Sequence, residues 1–254
     1  MKLSTFCDLM ESLAPKALAL SFDNVGLLIE PDHDEIRKVL VALDLTIPVA
    51  KEAIDGGYDL LLTHHPIFFE PVKSVSPTRN ETAAAYMLIR HGIGHYAAHT
   101  NLDAADGGVN DVLAELLILQ DVQKLPPENL GRIGMLSAPM TFRSFAALCE
   151  QHLNTHGRFV GDPDRTVRTV AVIGGAGGSD TEFAANAGCD VLVTGEMKHH
   201  EALLAEHLGL CCCVMGHYET EFPVLKPLIS RLQSVENDVQ YDLTHMGCAP
   251  LRSL

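Results

Sequence analysis

The 254-residue chain lacks any CxxC pair, and it carries only 18 lysines and arginines against 33 aspartates and glutamates. It also lacks an uninterrupted apolar run approaching the roughly 18 residues of a membrane span. Each shortage closes off a class of function. Without CxxC spacing, zinc-ribbon and thioredoxin-like readings fall away. Without a long apolar segment no transmembrane helix is expected, and the chain reads as cytoplasmic. A formal net charge of -15 without a basic stripe argues against binding a nucleic-acid backbone. Near the amino end, Phe6, Leu9, Met10 and Leu13 recur at helical spacing around Asp8 and Glu11, which suits an amphipathic first helix better than a secretory h-region.

What is present is ample apolar material, 47% of residues, enough for a full core. The seven cysteines read as structural thiols, with Cys211-Cys212-Cys213 inside a short apolar run expected to be a buried strand. Strands are expected at 38–44, 59–63, 93–98, 132–137, 167–173, 190–194, 210–215 and 239–243. Helices are expected at 47–55, 81–91, 109–117, 142–152, 180–187, 198–208 and 221–233. Such alternation implies an α/β protein with largely parallel or mixed sheets.

The chain also echoes itself. Val39-Leu-Val-Ala-Leu-Asp44, a helix and Gly57-Tyr-Asp-Leu-Leu-Leu-Thr63 match Thr169-Val-Ala-Val-Ile-Gly174, a helix and Gly188-Cys-Asp-Val-Leu-Val-Thr194. The Pro-rich stretch Leu125-Pro-Pro-Glu-Asn129 is the best linker candidate. The expected domains are therefore 1–125 as a first α/β lobe, 126–214 as a second, and 215–254 as a corner, helix and strand packing back on the first.

Polar corners follow several of these strands, and ligands gather outside the carboxyl ends of strands in open α/β sheets. His64 and His65 follow the strand at 59–63 and precede Pro66, a stiff strand-to-loop corner from which both imidazoles can turn to one site. His99-Thr-Asn-Leu-Asp103 and Gly216-His217-Tyr-Glu-Thr-Glu221 are the other corners, and His199-His200 follows the second repeat. Together the corners supply His64, His65, Asp103, His217 and Glu221, with Glu219 competing for the last place. This mixture of imidazole and carboxylate suits Zn, Mn, Fe, Co or Ni better than Mg or Ca. Five ligands are too many for one catalytic zinc and suit two divalent ions sharing a site. The glycines of Gly174-Gly-Ala-Gly-Gly178 fit neither the Walker nor the dinucleotide fingerprint. A phosphate-holding turn and a plain flexible turn both remain open there.

The combination of Ser21-Phe-Asp-Asn-Val-Gly-Leu27, Thr63-His-His-Pro66, His99-Thr-Asn-Leu-Asp103, Thr194-Gly-Glu196 with His199-His200, and Gly216-His217 followed by Thr220-Glu221 resembles the NIF-three-like family, often labelled GTP cyclohydrolase 1 type 2 homologues. The resemblance implies two similar, intertwined α/β lobes with mixed sheets and a dinuclear metal site in the cleft between them. It maps the family's ligands onto His64, His65, Asp103, His217 and Glu221, ranking Glu221 above Glu219. It further implies a toroidal homohexamer and the short form without an inserted domain. The chain departs from the family pattern at Phe22, where many members have Trp, and at Glu30, where Gly is common.

Around the metals, His95, His99 and Glu196, with His199 and His200 beside them, are candidates for proton transfer or substrate contact, or for orienting ligands from behind. The leading expectation is a dinuclear metal-dependent hydrolase of a small, nucleotide-like substrate, with ring opening at C8 of guanine if the family label holds. The alternative from another class is a metal-binding assembly or regulatory protein without turnover. A two-metal phosphoesterase is disfavoured because Lys198 is the only basic neighbour of these motifs.

Overall fold

The computed structural model describes residues 1–247 and 249–251, so Cys248 and the last positions of the expected 215–254 segment lie outside the described residues. The chain divides into two compact units, one formed by residues 1–106 and 225–247, the other by residues 107–224 and 249–251.

The first unit contains α1 (Leu3–Leu13), β1 (Gly26–Ile29), β2 (Lys38–Ala42), α2 (Ile47–Asp55), β3 (Leu60–Thr63), α3 (Asn80–Arg90), β4 (Gly94–Ala97) and α4 (Thr100–Ala104). The second contains α5 (Val109–Leu116), β5 (Gln120–Lys124), β6 (Arg132–Thr141), α6 (Phe142–Leu153), β7 (Arg158–Val160), β8 (Thr166–Ile173), α7 (Thr181–Asn186), β9 (Val191–Thr194), α8 (His199–Leu208), β10 (Cys211–Val214) and α9 (His217–Glu221). The chain then returns to the first unit with α10 (Leu225–Val235) and β11 (Gln240–Leu243).

Among the described residues, the strands form a five-stranded sheet in the order β1-β4-β3-β2-β11 and a six-stranded sheet in the order β5-β6-β8-β9-β10-β7. The strands β11, β2, β3 and β4 run parallel, as do β8, β9 and β10. Antiparallel strands occupy the remaining positions, so both sheets are mixed. Central parallel strands are covered on both faces, which is why β3 reads Leu-Leu-Leu-Thr and β9 Val-Leu-Val-Thr without polar alternation.

The sequence echo is a structural repeat, and both copies carry the same device. Asp59, just before β3, accepts hydrogen bonds from the amides of Arg37 and Lys38 at the start of β2; Asp190, just before β9, accepts from those of Arg168 and Thr169 within β8. Strand pairing sets Val39 opposite Leu60 and Val170 opposite Val191. Val39 therefore corresponds to Val170, one residue on from the Thr169 that side-by-side reading of the sequence selects. Short runs of Val and Leu slide against one another at no cost in similarity, whereas hydrogen-bond register does not.

All eight expected strands form, with β6 running on to Thr141. The ones sequence periodicity misses are β1, β5 and β7, all at sheet edges. Every residue of β5 is exposed, so no apolar pattern marks it. The expected break at 125–129 falls inside the β5–β6 hairpin, where Lys124 pairs with Arg132. The boundary between units lies instead at 106/107, because Leu113 and Ala114 of α5 pack into the second core. The 215–224 corner also stays with the second unit, and α10 and β11 join the first, β11 pairing with β2.

The described cysteines are free thiols, buried except for Cys7. Burial pushes Cys189 and Cys212 up to about 12, which keeps them protonated and unreactive at neutral pH. Among the described residues, no helix is long and apolar enough to cross a membrane.

Candidate metal centre

Parallel β2, β3 and β4 end on the same edge of the first sheet, so the segments that follow them emerge together. Asp44 follows β2, His64 and His65 follow β3, and His99 follows β4, with Asp103 one turn into α4. Three imidazoles meet there. Ring centroids lie 4.9 Å apart for His64 and His65, 5.1 Å for His64 and His99, and 5.4 Å for His65 and His99. One nitrogen from each of the three lies within 4.8 Å of the others, a spacing that can hold a metal ion.

What orders these rings is the partner of each Nδ1. His64 Nδ1 meets the Ala98 carbonyl at 2.8 Å, His65 Nδ1 meets Asp44 Oδ1 at 2.8 Å, and His99 Nδ1 meets Asp23 Oδ1 at 2.8 Å. A carbonyl or carboxylate oxygen only accepts, so each Nδ1 carries the hydrogen and Nε2 is the lone-pair nitrogen. That is the tautomer a metal-ligating histidine needs, fixed from behind by an oxygen. His64 Nε2 stands 3.6 Å from Oδ1 of the buried Asp103.

The second unit repeats the arrangement with fewer groups. The loops after β8 and β9 carry Gly175 and Glu196, and His217 opens α9 after β10. His217 Nδ1 lies 3.0 Å from Glu196 Oε1, and its Nε2 lies 3.2 Å from Oε2 of the buried Glu221, one helical turn further along α9. Glu219, the competing candidate, lies over Gly216 instead.

The glycine stretch after β8 serves this pair. Gly175 adopts φ +63°, donates its amide to Thr220 Oγ1 at 3.0 Å and accepts from the Glu196 amide at 2.8 Å. A Cβ at this position would collide with Glu221 Oε1 and come within 3.1 Å of His217 Nε2. Gly175 is the wall against which the His217–Glu221 pair sits.

The remaining candidates separate. His95 is fully buried within β4, and its Nε2 lies 2.7 Å from Thr63 Oγ1. The Thr63 hydroxyl spends its one hydrogen on the His65 carbonyl at 2.6 Å, so His95 Nε2–H donates to Thr63. Burial pushes the His95 pKa down to about 3. His95 is thus a neutral group behind the His64–His65 corner. His99 stands among the imidazoles, Glu196 is exposed behind His217, and His199 and His200 are exposed on the first turn of α8. Sequence reading quoted Asp23, Asp44 and Thr63 within its motifs and repeat without giving them a role at the histidines, and weighed Gly175 only as part of a turn. Asp44 was findable, since it ends a strand adjacent to the one that presents His65.

Asp23 yields a pH prediction. Burial alone would raise its pKa, but hydrogen bonds from His99 and Thr100 and the charge of His99 outweigh that, moving it from 3.8 to about 2. The ionised carboxylate therefore stabilises the fold above about pH 4, and this contribution, about 2 kcal/mol, is lost as the pH falls through 2. Urea unfolding in the presence of chelator is expected to show Asp23→Asn less stable than the parent at pH 6, with the gap closing near pH 2. A gap that does not change with pH would refute the assignment.

Two mixed α/β units, with oxygen-backed histidines and buried carboxylates at the carboxyl ends of parallel strands, define an α/β protein bearing groups suited to metal ions. The chain belongs to the Duf34/NIF3 (NGG1p interacting factor 3) family, whose profile matches residues 1–249. It is 32% identical over 249 residues to a Clostridium perfringens protein named GTP cyclohydrolase 1 type 2 homolog, covering 95% of each chain. It is 35% identical over 241 residues to one of the same name from Methanocaldococcus jannaschii, covering 92% of this chain and 96% of the relative. Among solved structures, a Bacillus cereus protein related to NIF3 superposes with a TM-score of 0.91 at 26% identity, covering 100% of this chain and 99% of that one. Reduced HcgD from Methanocaldococcus jannaschii superposes with a TM-score of 0.85 at 32% identity, covering 97% and 98% respectively.

Proposed function

We propose that this protein is a metal-dependent hydrolase of a small, nucleotide-like molecule, with two divalent ions, drawn from Zn, Mn, Fe, Co or Ni, held by His64, His65, Asp103, His217 and Glu221. One observation carries the reading. His64, His65, His99 and His217 share a single arrangement, Nδ1 bonded to an oxygen and Nε2 as the lone-pair nitrogen, with Asp103 and Glu221 buried opposite two of them. Four repetitions of an arrangement that suits metal ligation argue for a site organised to hold ions. The space that Gly175 leaves beside Glu221 and His217 fits the same reading.

Divalent ions in such a donor set supply a Lewis acid and a nucleophile at neutral pH. The chain's own contribution is orientation and proton handling. Asp44 and Glu196 hold the His65 and His217 rings, and His95 braces the His64–His65 corner through Thr63. His99, backed by Asp23, presents Nε2 as a proton acceptor, and the exposed Glu196 carboxylate is the second group placed to take up a proton. The nucleotide class, and ring opening of guanine within it, follow from the name that relatives carry, GTP cyclohydrolase 1 type 2 homolog. A ring of six copies is the assembly proposed with it.

Elemental analysis of protein purified without added metal or affinity tag is expected to find about two ions per chain. Chromatography with mass detection is expected to show hydrolysis of GTP or a related nucleotide that chelator abolishes and metal restores. Bound metal without turnover of any nucleotide would favour the assembly or regulatory role. A chain that takes up no Zn, Mn or Fe would sink the metallohydrolase reading.

A further inference from the structure

Beside the imidazoles of the first unit, two phenylalanines are turned to solvent. Phe22 is 61% exposed and Phe69 47% exposed. Their rings meet edge to face at 5.9 Å between centroids, and Phe69 meets His99 edge to face at 6.1 Å. A single exposed aromatic needs no explanation, but an adjacent pair leaves a continuous apolar face in water beside a polar cluster.

This pair is held in place. Asn24 Nδ2 donates to the Phe68 carbonyl at 2.5 Å, tying the segment that carries Phe22 to the one that carries Phe69. The Asp23 amide closes a turn onto the Leu20 carbonyl at 2.9 Å, while the Asp23 carboxylate bonds His99 and the Thr100 amide. Phe68 packs against the first core and anchors its neighbour. Phe22 and Phe69 are therefore presented by braced backbone on both sides.

We propose that Phe22 and Phe69 form a stacking wall for the planar heteroaromatic ring of the molecule handled at the histidines, which makes a ring-bearing compound such as a nucleobase-containing molecule its substrate class. The proposal rests on the metal-site reading only in assigning the ring to that molecule. Two arguments favour a ring over other occupants. An edge-to-face pair leaves π-faces available for offset stacking, an arrangement that accepts planar heterocycles regardless of their hydrogen-bonding pattern. The chain's charge of -15 also disfavours a polyphosphate anywhere but at the proposed ions, which leaves the base as the part of a nucleotide suited to the phenylalanine pair.

The chain contains no tryptophan, so Phe22→Trp supplies a single fluorophore in the wall itself. Titration of this variant with GMP and AMP is expected to give saturable quenching, with none from ribose 5-phosphate. Adding Phe69→Leu is expected to weaken GMP about tenfold. Equilibrium dialysis of GMP against the parent protein and Phe69→Leu reads the same loss without the fluorophore. Metal content, measured on the same samples, is expected to be unchanged. Equal responses to GMP and ribose 5-phosphate, or no GMP binding in dialysis, would overturn the stacking wall. So would a Phe69→Leu protein with unaltered GMP affinity and a changed assembly mass, which would assign the pair to contact between copies. Quenching without bound metal would support the wall and refute the metal reading, while metal without quenching would do the reverse.

Discussion

Alanine in place of Glu221 is expected to remove bound metal while leaving the fold intact. The carboxylate is buried at the end of α9 with Oε2 3.2 Å from His217 Nε2, the position from which the proposed ligand pair would hold an ion. Groups that merely orient a ligand typically change metal affinity by about 10–100-fold, and loss of a ligand itself exceeds that. Glu221→Ala is therefore expected to lose at least one ion per chain by elemental analysis. Glu196→Gln, which alters the group behind His217 and none of the proposed ligands, is expected to bind metal within about 100-fold of the parent. Thermal unfolding separates this from misfolding. Metal at about 100 times its dissociation constant adds about 2.7 kcal/mol to a protein that binds it only when folded. The parent's melting temperature should rise with added metal, that of Glu221→Ala should rise far less, and the metal-free proteins should melt close together. Equal metal content and equal stabilisation in parent and variant would remove Glu221 from the ligand set.

Gly175→Ala is expected to be as damaging to the site as loss of the ligand, from a residue with no side chain of its own. Two effects act together there. The backbone sits at φ +63°, where alanine costs roughly 1–2 kcal/mol, and the added methyl would run into Glu221 Oε1 beside His217 Nε2. Gly57 provides the control, since it has the same φ of +63° and a Cβ there would meet nothing within 4 Å. Both alanine variants should therefore lose stability in denaturant titrations, Gly175→Ala at least as much as Gly57→Ala, while only Gly175→Ala should lose metal and chelator-sensitive activity. If Gly57→Ala lost metal equally, the effect would be one of general destabilisation and the wall would have no special role.

The repeat explains why so much of the fold was legible from residues alone. Strands such as Leu60–Thr63 and Val191–Thr194 are buried on both faces, so their composition is nearly pure Val, Leu and Thr and stands out against the helices between them. Gln120–Lys124 is exposed throughout and held only by its partner strand, so nothing in its own residues marks it. Thr100–Ala104 carries no helix among the sequence expectations, since Thr, Asn and Asp suit a turn or a cap, yet all five residues are buried and helical. Here tertiary packing overrode local preference.

By itself, the sequence determined the alternation of strands and helices, the internal repeat, and the clustering of histidines and carboxylates after strands, because each depends on residue types at short spacing. Only the tertiary structure decided which oxygen stands behind each imidazole. Asp44 reaches His65 across 21 positions and Asp23 reaches His99 across 76, and no local pattern encodes either pairing. The unit boundary at 106/107, the return of β11 to the first sheet and the role of Gly175 were likewise settled by packing. The physical reason is common to all of them. A hydrogen bond or an excluded methyl acts through space, and its partner is fixed only once the strands have taken their register.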